Sequence, residues 1–154
     1  ICLASHDDAT PEHVQESVQE GAAIAEFPTT LDAAKEAHTH GLQVLMGAPN
    51  LILGKSHSGN VSAMELVERD LVDIISSDYV PQSLIQAMFS IAQQQQKPLY
   101  EAMSLFTLNP ARAIGLDSDR GSLEIGKRAD FVTVHHDGLV PRLTSVMAKG
   151  RRIA

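Results

Sequence analysis

Apolar positions along the chain fall into short runs, each ending in polar or turn residues. Four of them read as strands: ICLASHDD at 1–8, AAIAEFPTT at 22–30, LQVLMGAPN at 42–50 and VDIISSDYVP at 72–81. Helix signals lie between them. Thr10 is a good N-cap, Pro11 takes the first helical position and Gly21 stops the segment after Glu20. Thr30 and Gly41 bracket Leu31 to His40 in the same way, and Ser62 with Glu65 makes a capping-box pattern at the head of 62–71. The resulting order is β-α-β-α-β-α-β. Strands joined by single helices run parallel, and near-continuous apolar strands are buried on both faces. A doubly wound sheet or half of a (β/α)8 barrel meets both conditions. In either, the active site gathers at the C-terminal ends of the strands, where His6, Asp7, Glu26, Asn50 and Asp78 fall.

Past Asp78 the pattern gives helices over 83–94 and 98–105, then a short one to Ile114 that Asn109-Pro110 opens as N-cap and first-turn pair. The glutamine run from Gln93 to Gln96 reads as a solvated helix end. From Gly121 the period changes to strand-like runs, with a Lys149-Gly150 turn inside 143–153. This tail reads as a small β unit appended to the α/β part.

Length and charge narrow the function classes. The 154 residues suffice for one domain with a real core. A formal charge of −7 argues against a nucleic-acid partner and against an anionic membrane surface, since both would repel the chain. The single cysteine, Cys2, excludes an intrachain disulfide and a Cys-x-x-Cys zinc or redox motif, so the chain reads as reduced and cytoplasmic. No apolar run approaches the roughly 20 residues that span a bilayer. The sequence opens inside a strand-like run without an initiator Met, which suggests part of a longer chain.

Polar chemistry concentrates in a few places. Ser5-His6-Asp7-Asp8 breaks an apolar strand just before a helix start, which is costly unless those side chains act. Lys55-Ser56-His57-Ser58-Gly59-Asn60 precedes a helix whose first N–H groups are free, a combination that suits an anion; a solvated loop is the plainer reading. Gly54-Lys55-Ser56 is not a P-loop, because the motif requires glycine at 49, where Pro49 stands. His38 and His40 sit at a helix end and read as structural or exposed, His13 lies on a polar helix face, and His135 and His136 read as solvent-facing.

The tail TLNPARAIGLDSDRGSLEIGKRADFVTV, residues 107–134, resembles the C-terminal signature of the amidohydrolase superfamily, through Asn109, Pro110, Ala111, Gly121, Gly126, Ala129 and Asp130 among others. Within it, ASHDDAT, AEFPTT, LMGAPN, GKSHSGNVSA and ISSDYVP resemble a diphosphatase family of the carbon-phosphorus lyase pathway. The resemblance implies an α/β fold: the second half of a (β/α)8 TIM-like barrel, strands five to eight, over 1–115, then part of a small β-sandwich over 116–154. It implies a metal-dependent hydrolase that releases pyrophosphate from α-D-ribose 1-methylphosphonate 5-triphosphate in phosphonate degradation. The alternatives are an amidohydrolase acting on a cyclic amide, an N-acyl amino acid or an aminated base, and a non-catalytic barrel scaffold.

By the same resemblance His6 is a ligand for a divalent metal ion (Zn, Mn or Mg), and Asp78 is both metal ligand and catalytic proton acceptor. Without it, His6 would read as a hydrogen-bonded structural residue and Asp78 as the cap of the next turn. Glu26 stands where many relatives have a second histidine; ligating a metal, orienting water and binding a basic partner all remain open for it. Lys55, Ser56, His57, Ser58 and Asn60 are the expected phosphate binders, with Asp7 and Asp8 supporting the ligands from behind. The expected partners are a small phosphorylated ribose and the missing N-terminal half of the barrel, without which the 154 residues would be inactive. Self-association into a homo-oligomer stays open.

Overall fold

The computed structural model describes residues 2–54, 59–138 and 140–154. The chain opens with β1 (Leu3–His6), α1 (Pro11–Gln19), β2 (Ala22–Glu26), α2 (Leu31–Thr39), β3 (Gln43–Gly47), α3 (Ala48–Leu53), α4 (Ala63–Glu68) and β4 (Ile74–Ser76). The four strands form a parallel sheet in the order β1-β2-β3-β4. Helices α5 (Ser83–Gln94), α6 (Leu99–Ser104) and α7 (Leu108–Ala113) follow, then an antiparallel sheet of β5 (Phe131–His135), β6 (Arg142–Ala148) and β7 (Arg151–Arg152). Among the described residues no helix is long and apolar enough to cross a membrane.

Right-handed crossovers between strands in strict sequence order place every connecting helix on one face of the sheet. Burial agrees. Ser5, Ala25, Val44, Met46 and Ile75 alternate with residues of the opposite face, and Ala25, Val44, Met46 and Ile75 join one apolar cluster with Val14, Ala33, Ala37, Leu66, Ala87 and Ile91 of the helices. Leu66, Ile91, Val14 and Val44 are fully buried, each worth about 1.5–3 kcal/mol. Ile24 and Ile74, on the opposite face, are buried without joining that cluster. A doubly wound sheet would reverse strand order and carry helices on both faces, which this order does not.

The expected caps of the first two helices are present. Thr10 Oγ1 accepts from the His13 amide at 3.3 Å and Thr30 Oγ1 from the Ala33 amide at 3.1 Å. Five sequence expectations are corrected. The third strand stops at Gly47 rather than Asn50, because Ala48-Pro49-Asn50 starts α3, with Pro49 in the first turn where its missing N–H costs nothing. The second strand likewise ends at Glu26 and the fourth at Ser76. Ser62 makes no side-chain cap bond on α4; the Ala63 amide donates instead to Asn50 Oδ1 at 2.9 Å, so the cap comes from another helix. Asn109 is not the N-cap of α7, which starts one residue earlier with Thr107 as the cap position. Its Nδ2 donates to the Asp73 carbonyl at 2.9 Å, tying α7 to the start of β4.

Asp73 is a junction on that side of the sheet. Its Oδ2 accepts from the Val44 amide at 2.8 Å and meets His38 Nε2 at 2.8 Å, which makes His38 structural. His40 pairs with Glu36 one turn back at 3.0 Å. His136, expected to face solvent, is exposed yet stacks on Phe89 of α5 with ring centroids 4.2 Å apart.

The tail's signature residues have physical tasks. Gly121 has φ +90°, and a Cβ there would lie 2.7 Å from Ala111 Cβ and 3.1 Å from the Leu108 Cα, so only glycine lets the tail run against α7. Asp130 Oδ1 accepts from the Lys149 amide at 2.6 Å, holding the expected Lys149-Gly150 turn. Asp119 accepts from Arg120 at 2.6 Å, and that bond, with the Arg128 guanidinium 3.6 Å away, holds its carboxyl below the usual range. The small sheet leaves apolar surface open: Val132, Leu143, Leu123 and Ile153 are exposed.

Gly121→Ala is expected to cost about 1–3 kcal/mol of stability, through the strained backbone and the clash with α7. Denaturant midpoints of the two proteins measure it; a wild-type midpoint would mean that the tail does not depend on this close approach.

Candidate functional site

The parallel ladder brings the C-terminal ends of all four strands to one edge of the sheet, and the residues immediately beyond them are strained. Asp7 has φ 60°, Phe27 54° and Asp78 46°, left-handed values that cost a side-chain-bearing residue about 1–2 kcal/mol each. They follow β1, β2 and β4. Backbone bonds hold two of these bends: the Asp7 amide donates to the Glu26 carbonyl at 3.0 Å and the Phe27 amide to the Leu45 carbonyl at 2.9 Å. Strain repeated at the same edge of three strands is the pattern of a functional rim.

His6 and Glu26 are register partners on neighbouring strands and lie side by side on the face away from the helix cluster, in one row with Leu45 and Ile74. His6 Nδ1 sits 3.1 Å from Asp7 Oδ2 and the ring packs edge-on to Phe27 with centroids 5.5 Å apart. His6 and Asp7 make a close polar contact rather than an aligned hydrogen bond, and a negative carboxylate beside Nδ1 favours the tautomer that leaves the Nε2 lone pair free, the arrangement metal-binding imidazoles use. The His6 side chain is 58% exposed. No described residue hydrogen-bonds the carboxylate of Glu26, which is half-buried.

Asp78 enters a separate recess of about 170 Å³, walled by Asp7, Phe27, Gly47, Asn50, Asn60 and others. Gly47 sets its position. The glycine has an ordinary φ of −86°, so conformation does not demand it; space does. A Cβ there would stand 3.0 Å from Asp78 Oδ2 and 3.3 Å from its Cβ. Among the described residues nothing donates to the Asp78 carboxylate, and the turn after it is closed by the Val80 amide on the Ser77 carbonyl at 3.0 Å, so Asp78 is not that turn's cap. Asp78 is an open acceptor held in a fitted space.

The other expected residues divide. Asn60 lines the Asp78 recess. Asp8 is buried and accepts from Ser5 Oγ at 2.5 Å and Ser17 Oγ at 3.3 Å, which joins β1 to α1; it borders a hollow of about 300 Å³ that His6 also lines. Lys55, Ser56, His57 and Ser58 lie outside the described residues. Sequence reading passed over Gly47, whose role leaves no trace in its backbone angles, and gave Asn50 a place without a task.

Imidazole and carboxylate are donors of the right kind for a divalent cation; Asp7 stands beside the one and Gly47 makes room for the other. The set is incomplete: no cluster of three or more His, Cys, Asp or Glu that could hold a metal exists among the described residues.

Comparison with known proteins identifies the lineage. The amidohydrolase family pattern matches residues 3–153. The chain belongs to the amidohydrolase family. Members typically use divalent metals. The chain is 51% identical, over 99% of its length, to the alpha-D-ribose 1-methylphosphonate 5-triphosphate diphosphatase of Escherichia coli K12, and spans 41% of that protein. Among solved structures it superposes on a prolidase complexed with N-methylphosphonate-L-proline at TM-score 0.73, with 19% identity, 99% of this chain and 45% of that one covered. An adenosine deaminase from Xanthomonas campestris with bound zinc matches at TM-score 0.63 and 18% identity, over 99% and 45% of the two chains. The parallel sheet and appended antiparallel sheet are thus an amidohydrolase fold of the TIM-barrel superfamily.

Gly47→Ala is expected to keep the fold, because its backbone angles suit any residue, while displacing the Asp78 carboxylate from its present position. A crystal structure of the variant beside thermal melting tests this, and an unmoved Asp78 carboxylate would mean that Gly47 does not set its position.

Proposed function

We propose that the chain is the C-terminal half of a (β/α)8 barrel, its parallel strands acting as strands five to eight, with residues 1–115 in the barrel and 116–154 in part of a small β-sandwich. The complete enzyme releases pyrophosphate from α-D-ribose 1-methylphosphonate 5-triphosphate and leaves the 1-methylphosphonate 5-phosphate. The observation that carries this reading is the 51% identity to the Escherichia coli diphosphatase across 99% of the chain. Among the described residues β1 pairs with no strand on its outer side, and that edge together with the exposed apolar residues of the small sheet supports a barrel and sandwich completed by further polypeptide.

His6 Nε2 and an Asp78 oxygen would hold the divalent ion, with the remaining ligands from the other half of the barrel; Glu26, beside His6, would orient water or bind a basic partner. Such an ion lowers the pKa of a bound water toward about 7 and polarises phosphoryl oxygen. The chain's own groups do the rest. The Asp7 carboxylate beside Nδ1 favours the His6 tautomer whose Nε2 is free for the ion. Asp78 accepts the proton of the attacking water as its oxygen bonds to phosphorus, and the bridging P–O bond breaks with its electron pair leaving on pyrophosphate. An unpaired carboxylate in a partly enclosed recess suits that task, since no standing hydrogen bond must first break. Asn60 meets the phosphates from the recess wall, and Lys55, Ser56, His57 and Ser58, just before it in the chain, are assigned as further phosphate binders on the sequence alone.

Phosphorus NMR of the ribose triphosphate with metal-loaded protein, completed to the length of its relatives, tests the reaction. Pyrophosphate release that stops on chelation is expected. No phosphorus change with metal bound would turn the reading toward an amide-hydrolysing relative, and absence of bound metal toward a scaffold. Asp78→Asn should lower turnover by at least roughly 100-fold, within the range ascribed to general acid-base groups, with little change in melting temperature; wild-type turnover would remove Asp78 as proton acceptor.

A further inference from the structure

We propose that Asn50 is a specificity residue of this site: its side-chain N–H group binds a non-bridging oxygen of the substrate's phosphoryl chain. This deepens the diphosphatase reading and rests on it. The argument starts from the orientation of one amide. An asparagine carboxamide can present either oxygen or nitrogen to a cavity, and the hydrogen-bond network decides which. Here it decides clearly. Asn50 Oδ1 accepts from the Ala63 amide at 2.9 Å, and a backbone amide can only donate, so the oxygen faces α4 and the Nδ2 group is left over. Among the described residues Nδ2 has no acceptor.

The second observation is where the residue stands. Asn50 lines the recess of about 170 Å³ that contains Asp78 and Asp7. Two carboxylates make the wall repellent to a polyanion, so an anionic oxygen entering there needs a counter-cation or a neutral N–H donor. Asn50 Nδ2 is such a donor, fixed in direction by its own oxygen. The position is rigid: Asn50 sits in the first turn of α3, follows Pro49, and its carbonyl accepts from the Gly54 amide at 3.1 Å. The carboxamide therefore has two separable jobs, capping α4 through oxygen and meeting substrate through nitrogen.

Asn50→Asp separates them, because one carboxylate oxygen still accepts from Ala63 while the donor becomes a negative charge. In the metal-loaded, full-length protein, KM for the ribose triphosphate should rise at least roughly tenfold, the loss of one hydrogen bond to a charged group. The dissociation constant for magnesium tripolyphosphate, read by calorimetry, should rise in parallel, with melting temperature near wild type. Wild-type KM and wild-type tripolyphosphate binding in this variant would overturn the proposal. Asn50→Ala combined with Ser62→Asp gives a second test, since a carboxylate at the N-cap position of α4 can supply the missing helix cap. Restored stability with KM still raised supports substrate contact; KM that recovers with stability overturns it. The two readings fail apart: a wild-type protein that binds tripolyphosphate through Asn50 yet releases no pyrophosphate sinks the diphosphatase reading alone, whereas one that hydrolyses the substrate with Asn50→Asp unaltered in KM sinks the Asn50 assignment alone. A wild-type protein that binds no tripolyphosphate and shows no turnover overturns both.

Discussion

Parallel pairing in sequence order is the constraint from which the rest of this structure follows. Each of the four parallel strands must return to the same end of the sheet before the next begins, so all four terminate at one edge and every connecting helix lies on one face. The apolar cluster of Val14, Val44, Leu66 and Ile91 fixes that arrangement by burying the helix side of the sheet. With one face committed to packing, the open edge and the opposite face remain for chemistry. His6, Glu26 and Asp78 therefore come from sequence positions far apart and all stand at the C-terminal ends of strands in one sheet, His6 beside Glu26 and Asp78 in its own recess.

Stability gained in that cluster offsets strain at the rim. Asp7, Phe27 and Asp78 adopt left-handed backbone angles that side chains disfavour, and the Asp7 and Phe27 bends are held by backbone bonds that extend the ladder past the strand ends. Gly47 adds a different device, yielding volume to the Asp78 carboxylate. Asn50 links the two: it caps α4 with its oxygen and so keeps the wall of the recess in place. Packing, capping and site geometry thus share the same few residues between β3 and α4.

Away from the rim, polar side chains tie the helical layer and the tail to the sheet. Asp73 receives Val44, His38 and Asn109 at the other end of β4, so the strand carrying Asp78 beyond its C-terminus is anchored at its start. Gly121 lets the tail lie against α7, and Asp130 holds the hairpin turn of the small sheet. The family signature in the tail thus reads as a set of contacts: a clamp, a close approach and a turn.

Periodicity and caps by themselves determined the alternation of strands and helices, the parallel sheet, the helix starts at Thr10 and Thr30, and the gathering of His6, Glu26 and Asp78 at strand ends. Those features are local, set by side-chain period and by the few residues that can cap or stop a helix. Tertiary structure decided what depends on distant neighbours. Ala48-Pro49-Asn50 became helix because an apolar run ending in Pro reads alike as strand end or helix start. Ser62 lost its capping role to Asn50, and Asn109 became a clamp on Asp73, because a side-chain bond to a remote backbone group leaves no periodic trace. Gly47 is the clearest case. Its necessity lies in the space between two strands and an aspartate 31 positions along the chain, a relation that only the folded molecule contains.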